Sequence, residues 1–174
     1  MRWVLSTMMG LLMSCQPSTP NDMEAVMHWI RREFPDVRQI SVEELAKQLD
    51  AGDVNVVLLD ARDQAEYAVS HLPGAIRIDP ETENSAMLDA LDRDAAIVAY
   101  CSVGYRSSQL VERLVAKGFT NVANLEGSIF EWANRGLPLE REGVRVREVH
   151  PFDEEWGRLL REDLRAYEPG AERR

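Results

Sequence analysis

Apolar positions along the chain follow two alternating patterns: stripes spaced three to four residues apart, as on a helix face, and short unbroken runs. Asn21 and Glu24 are spaced as a capping box, and Met23, Val26, Met27, Ile30 and Phe34 then form a stripe that Pro35 ends. Ser41 and Glu44 open a second helix with Leu45 and Leu49 on one face, closed by Gly52. Residues 54–60 (V-N-V-V-L-L-D) and 95–100 (A-A-I-V-A-Y) are runs without alternation. Strands covered on both faces, as in a helix-flanked parallel sheet, have that pattern. Residues 75–78 and 122–125 predict two further strands, 107–117 a helix ending at Gly118, and 128–135 a helix closed by Gly136 and Pro138. Strands alternating with helices over short connections predict an α/β fold with a mostly parallel sheet.

The two ends differ from this middle. Phe152, Trp156, Leu159, Leu160, Leu164 and Tyr167 have the spacing of one amphipathic helix face. Such a helix needs a surface to pack on, either its own domain or a partner. At the start, Arg2 precedes a mostly apolar run from Trp3 to Ser14, the length of a signal-peptide core and too short for a membrane span. Leu12-Met-Ser-Cys15 resembles a bacterial lipobox, whose Cys becomes the acylated first mature residue, and the following Q-P-S-T-P-N suits a polar tether. The expectation is a lipoprotein on the periplasmic side of a membrane, attached only through a lipid on Cys15; if these residues are not a signal, the protein is cytoplasmic. The predicted organisation is a signal over 1–14, a tether and helix over 15–37, one domain over 38–140 and a helical extension over 141–174.

Composition narrows the chemistry. Among 174 residues, 45% are hydrophobic and the formal net charge is −10. A core can form, and nucleic acid is excluded as the main partner because phosphate binding needs a cationic face. Two Cys and three His are too few for a disulfide scaffold or a Cys-rich zinc site.

The informative stretch is I-V-A-Y-C-S-V-G-Y-R-S, residues 97–107. A buried strand ends at Tyr100, Cys101 follows at once, and a helix begins a few residues later. Ligands bind at the carboxyl ends of strands in open α/β sheets. Backbone N–H groups and the positive end of a helix dipole there favour thiolate over thiol. Gly104 permits a tight or left-handed turn. Arg106 adds a positive charge at the helix start, where it needs an anionic partner.

Four blocks in order resemble the rhodanese family of sulfurtransferases: L-L-D-A-R-D-Q-A-E-Y (58–67), S-H-L-P-G-A-I-R-I (70–78), C-S-V-G-Y-R-S (101–107) and L-E-G-S-I-F-E-W (125–132). The resemblance implies a five-stranded, mainly parallel sheet flanked by helices, to which this chain adds N- and C-terminal helical extensions. It implies that Cys101 carries the transferred sulfur as a persulfide, cradled by Ser102, Val103, Gly104, Tyr105 and Arg106. The donor would be thiosulfate, polysulfide or a persulfide protein, and the acceptor a thiol or cyanide. No metal or organic cofactor is implied. The six-residue span from Cys101 to Arg106 is the sulfurtransferase length, one residue shorter than in related phosphatases and arsenate reductases. The uncharged Ser102, Val103 and Tyr105 point away from thiosulfate. Ser70 and Ser128 stand where the family has glycine. The competing reading is a non-catalytic rhodanese-like module at the membrane.

Roles outside the loop stay open. Asp60 ends a buried strand and pairs with Arg106 or holds the loop, or else caps a helix. Arg62 either lines the pocket and attracts an anionic donor, or ties the sheet edge to Glu66. Asp63 and Glu66 are spaced as a capping box, His71 suits a turn before Pro73-Gly74, and Phe130 and Trp132 suit the core.

Overall fold

The computed structural model describes residues 22–52, 55–79 and 86–170. Five short strands make one all-parallel sheet: β1 (Gln39–Ile40), β2 (Val57–Asp60), β3 (Ile76–Arg77), β4 (Ile97–Tyr100) and β5 (Val122–Leu125), in the order β1-β5-β4-β2-β3. The helices are α1 (Met23–Glu33), α2 (Val42–Asp50), α3 (Gln64–Val69), α4 (Ala86–Asp89), α5 (Tyr105–Ala116) and α6 (Ser128–Asn134). The unbroken runs are indeed the central strands: every residue of β4 and β5 is buried. Leu59, Tyr100, Leu125, Ile129 and Phe130 are fully enclosed, and Trp132 is 2% exposed. The described residues hold no helix long and apolar enough to cross a membrane.

Local chemistry explains most boundaries. The Ser41–Glu44 capping box is complete. The N-cap of α1 is Asp22, whose carboxylate accepts the Ala25 N–H at 2.8 Å, one place after the expected Asn21, which lies outside the described residues. α5 begins at Tyr105, two residues earlier than predicted, because its N-cap Gly104 at φ 116° turns the chain immediately after the loop.

The C-terminal segment departs from expectation. It forms a hairpin of β6 (Leu139–Arg141) and β7 (Val144–Val146), one helical turn α7 (Glu154–Gly157) and a 3-10 turn at Glu162–Leu164, not one amphipathic helix. The helix stops at Gly157, a poor helix residue, and the chain folds back so that Arg165 bridges Val149. Two bends place Leu160 and Leu164 in the core, while Phe152 and Tyr167 remain exposed. The segment docks on its own domain: Asn134 Nδ2 donates to Leu159 O at 2.8 Å and Arg161 N–H to Asn134 Oδ1 at 2.9 Å. His71 and Glu140 exchange two backbone hydrogen bonds of 2.9 Å.

Candidate active site

Asp60 and Tyr100 are register partners at the carboxyl ends of β2 and β4, so Ala61 and Cys101 leave the sheet side by side. Cys101 exposes 1% of its surface, yet it lines a cavity of about 270 Å³ with Ser102, Val103 and Arg106. A buried thiol facing an open cavity can meet a small molecule while its other contacts stay dry.

The loop is fixed from beneath. Ser128 Oγ accepts the Cys101 N–H at 3.2 Å and donates to Leu125 O at 3.0 Å. Ile129 and Phe130 N–H groups donate to the carbonyls of Cys101 and Ser102. The first turn of α6 thereby clamps the start of the loop. Gly104 is tightly packed: a Cβ would lie 3.2 Å from Asn124 Nδ2 and 3.3 Å from Ile30 Cδ1, so both side chains would have to give way.

Gly104 N–H donates to Cys101 Sγ at 3.2 Å. Burial pushes the thiol up, but the Arg106 charge and the Ser107 and Gly104 N–H groups outweigh it, so Cys101 sits below the ordinary thiol range. The Ser107 hydroxyl also faces the sulfur, but it donates its single proton to Asn124 Oδ1 at 2.6 Å. The amides and the guanidinium therefore carry the effect.

Arg106 finds its anion in Glu66. Nη1 meets Oε2 at 2.8 Å and Nη2 meets Oε1 at 2.9 Å, while Nη2 also donates to Ser102 Oγ at 3.0 Å. Ser102 Oγ donates to Glu66 Oε1 at 2.8 Å. Glu66 accepts the Asp63 N–H at 3.0 Å, so the predicted capping contact exists alongside this second task. Burial pushes the Glu66 carboxyl up, yet Arg106 and the Asp63 and Ser102 donors hold it below the usual carboxylate range. Spacing predicts the cap but not the reach to the loop; the buried Glu66 side chain links α3 to Ser102 and Arg106.

The geometry rules out one alternative for Asp60 and one for Arg62. Asp60 does not pair with Arg106; its carboxylate grips Arg62, with Nη2–Oδ2 at 2.6 Å and Nε–Oδ1 at 2.9 Å. Arg62 does not line the pocket: it is fully buried and donates onward to Ser70 O at 2.6 Å and the Glu66 carbonyl at 3.4 Å. Only Ala61 stands between them in sequence, so the guanidinium folds back on the strand end before it can reach the cavity. The sheet-edge reading of Arg62 fits, through the Glu66 backbone. Ser70 takes extended backbone at φ −172°, where glycine is not needed. Ser128 sits at φ 52°, in the left-handed region that favours glycine. His71 takes its turn position, stacked on Tyr67. Cys15 lies outside the described residues.

An aromatic wall joins residues from three distant segments, which their spacing does not bring together. Trp29 of α1, Tyr105 of α5, and Phe152 and Trp156 of the C-terminal segment line the cavity above Cys101. Trp29 and Tyr105 stack at 5.2 Å, and the Arg106 guanidinium lies 4.9 Å from the Phe152 ring centroid.

A parallel α/β sheet with a thiolate loop between strand end and helix N-terminus defines the class. The model of the rhodanese-like domain matches residues 41–135, and the chain belongs to that family. A sulfurtransferase from Allochromatium vinosum is 35% identical over 103 residues, covering 59% of this chain and 94% of its own. A tRNA uridine(34) hydroxylase from Pectobacterium atrosepticum is 33% identical over 126 residues, 67% of this chain; the match spans only 34% of that longer protein. The crystal structure of a thiosulfate sulfurtransferase from Pseudomonas aeruginosa superposes with a TM-score of 0.58 at 26% identity, covering 71% of this chain and 23% of that one.

Proposed function

We propose that the protein is a sulfurtransferase that carries sulfane sulfur on Cys101. The observation that supports this most directly is Cys101 Sγ at the cavity floor, accepting the Gly104 N–H and held below the ordinary thiol range by Arg106. The thiolate attacks the outer sulfur of a donor. The donor's bond to that sulfur breaks, and the leaving group departs with the electron pair. The product is a Cys101–S–S⁻ persulfide, whose negative charge meets the same amides and guanidinium. A thiol or cyanide acceptor then attacks the outer sulfur and releases the Cys101 thiolate. No oxidant or reductant enters.

The net charge of −10 argues against extending to this chain the tRNA-directed activity named for its longer relatives. We further propose that Cys15 is acylated and tethers the domain on the periplasmic side, on the strength of the apolar run and the lipobox-like residues 12–15.

Intact mass of the full chain after incubation with a sulfane donor tests the chemistry. A gain of one sulfur mapping to residue 101, absent in Cys101→Ser, is expected; an unmodified mass, or a gain in the variant, overturns it and leaves a binding module. For the tether, Cys15→Ser should leave the membrane fraction; an unchanged distribution rejects the anchor.

A further inference from the structure

Beyond the reaction class lies the question of what the donor carries next to its sulfur. The cavity over Cys101 is walled by Trp29, Tyr105, Phe152, Trp156 and Val103. At about 270 Å³ it is near the low end for small-molecule pockets, which are mostly apolar with a few placed polar groups. Arg106 is the single charged side chain in its lining among the described residues. That charge is already engaged: both Nη atoms are on Glu66, and the Phe152 ring covers the guanidinium. A compact dianion entering here would lose its water against indole and phenyl rings without gaining a free cation, which is costly.

Phe152 itself marks the wall as a feature under constraint. Its φ of 67° is unusual for a bulky residue, and its ring stays 42% exposed at the cavity. Its N–H donates to His150 Nδ1 at 3.1 Å and the following Asp153 N–H to Pro151 O at 2.9 Å, so a local turn holds the ring at the cavity. Trp29, Phe152 and Trp156 all lie outside residues 41–135, the part that matches the family. The terminal extensions therefore supply three of the five wall residues, and the family-matched part supplies Val103 and Tyr105.

We propose that the cavity selects a low-molecular-weight organic sulfane donor bearing an apolar, ring-sized group, in preference to inorganic thiosulfate. The inference rests on the sulfurtransferase reading above. The group stacks between the rings, while its terminal sulfur faces Cys101 Sγ. With an organic thiosulfonate the step is Cys101–S⁻ + R–SO₂–S⁻ giving Cys101–S–S⁻ + R–SO₂⁻. One S–S bond forms, one breaks, and the sulfinate leaves with the electron pair, so charge and sulfur balance.

Three donors separate the possibilities on the full-length protein: benzenethiosulfonate, methanethiosulfonate anion and thiosulfate. Each loading rate is divided by the donor's rate with a small free thiol, which removes intrinsic reactivity. The expected kcat/KM for benzenethiosulfonate exceeds the other two by about tenfold or more. Trp156→Ala and, separately, the more exposed Phe152→Ala should bring the benzene-to-methane ratio toward one. Equal corrected rates, a preference for thiosulfate, or a ratio that survives both substitutions overturns the selectivity and leaves sulfur transfer standing. Failure of all three donors to load Cys101 overturns the sulfurtransferase reading, and this inference with it.

Discussion

Glu66 holds Arg106 with both carboxylate oxygens, at 2.8 and 2.9 Å, across 40 residues of sequence. The pair joins α3 to the first turn of α5 and sets how much of the guanidinium charge Cys101 feels. Sulfur loading requires the thiolate, so its rate falls as pH drops through the Cys101 pKa, at a pH below the ordinary thiol range. Arg106→Gln removes the attraction and should move that limb to higher pH. Glu66→Gln removes an opposing negative charge and should move it to lower pH. Alkylation of Cys101 against pH reads both shifts. Movement in the same direction would show that the pair acts only as a brace.

The same carboxylate makes stability pH-dependent. Glu66 has a lowered pKa in the fold, so its contribution is present above the usual carboxylate range and is lost as pH falls through the folded value. Glu66→Gln should cost about 1–3 kcal/mol at neutral pH. The gap from the parent should close in acid, measured by urea unfolding at several pH values.

Asp60 and Arg62 form a second pair with a different job. Both side chains are fully buried, and neither faces the cavity. Asp60→Asn leaves a buried guanidinium without its counter-charge and should cost about 3–5 kcal/mol. Since Asp60 does not reach Arg106, the Cys101 alkylation profile should not move in the protein that remains folded. A shifted profile would place Asp60 in the electrostatics of the sulfur after all.

These pairs mark the limit of what the sequence reveals. The unbroken apolar runs of β2 and β4 are legible because strands buried on both faces are mostly apolar, and the loop is legible because Cys101, Gly104 and Arg106 each have a local reason. β1 is two residues long, too short for any period to register. The β6–β7 hairpin carried a readable turn, Glu142-Gly143, with both residues at positive φ, but its strands are short and charged. Phe152 to Tyr167 has a helical period, but the helix ends at Gly157 and only Leu160 and Leu164 of that set reach the core. Glu66 to Arg106 and Phe152 to Arg106 are contacts between distant segments, which depend on packing and not on spacing.

Gly104 should tolerate no side chain. Its φ of 116° lies outside the usual range for L residues, and a Cβ would crowd Asn124 and Ile30. Gly104→Ala should destabilise by about 1–3 kcal/mol. Because Gly104 N–H is the donor at 3.2 Å from the sulfur, loading should slow as well. Thermal unfolding and loading kinetics on one preparation check both; an unaffected loading rate would remove that amide from the proposed cradle.

Ser128 combines a cost and a benefit at one position. Its φ of 52° favours glycine, the residue the family resemblance led one to expect, while its hydroxyl accepts the buried Cys101 N–H at 3.2 Å. Ser128→Ala keeps the strained backbone and leaves that N–H without its acceptor, for a loss of about 1–3 kcal/mol. Ser128→Gly loses the same acceptor but relieves the backbone, so it should be about 1 kcal/mol more stable than the alanine variant. The expected order in urea unfolding is parent, then glycine, then alanine, and both variants should load sulfur more slowly because Cys101 loses one of its hydrogen bonds to α6. A glycine variant more stable than the parent would mean that the hydroxyl contributes less than the strain it accompanies. In that case its retention would be explained by positioning of the sulfur alone.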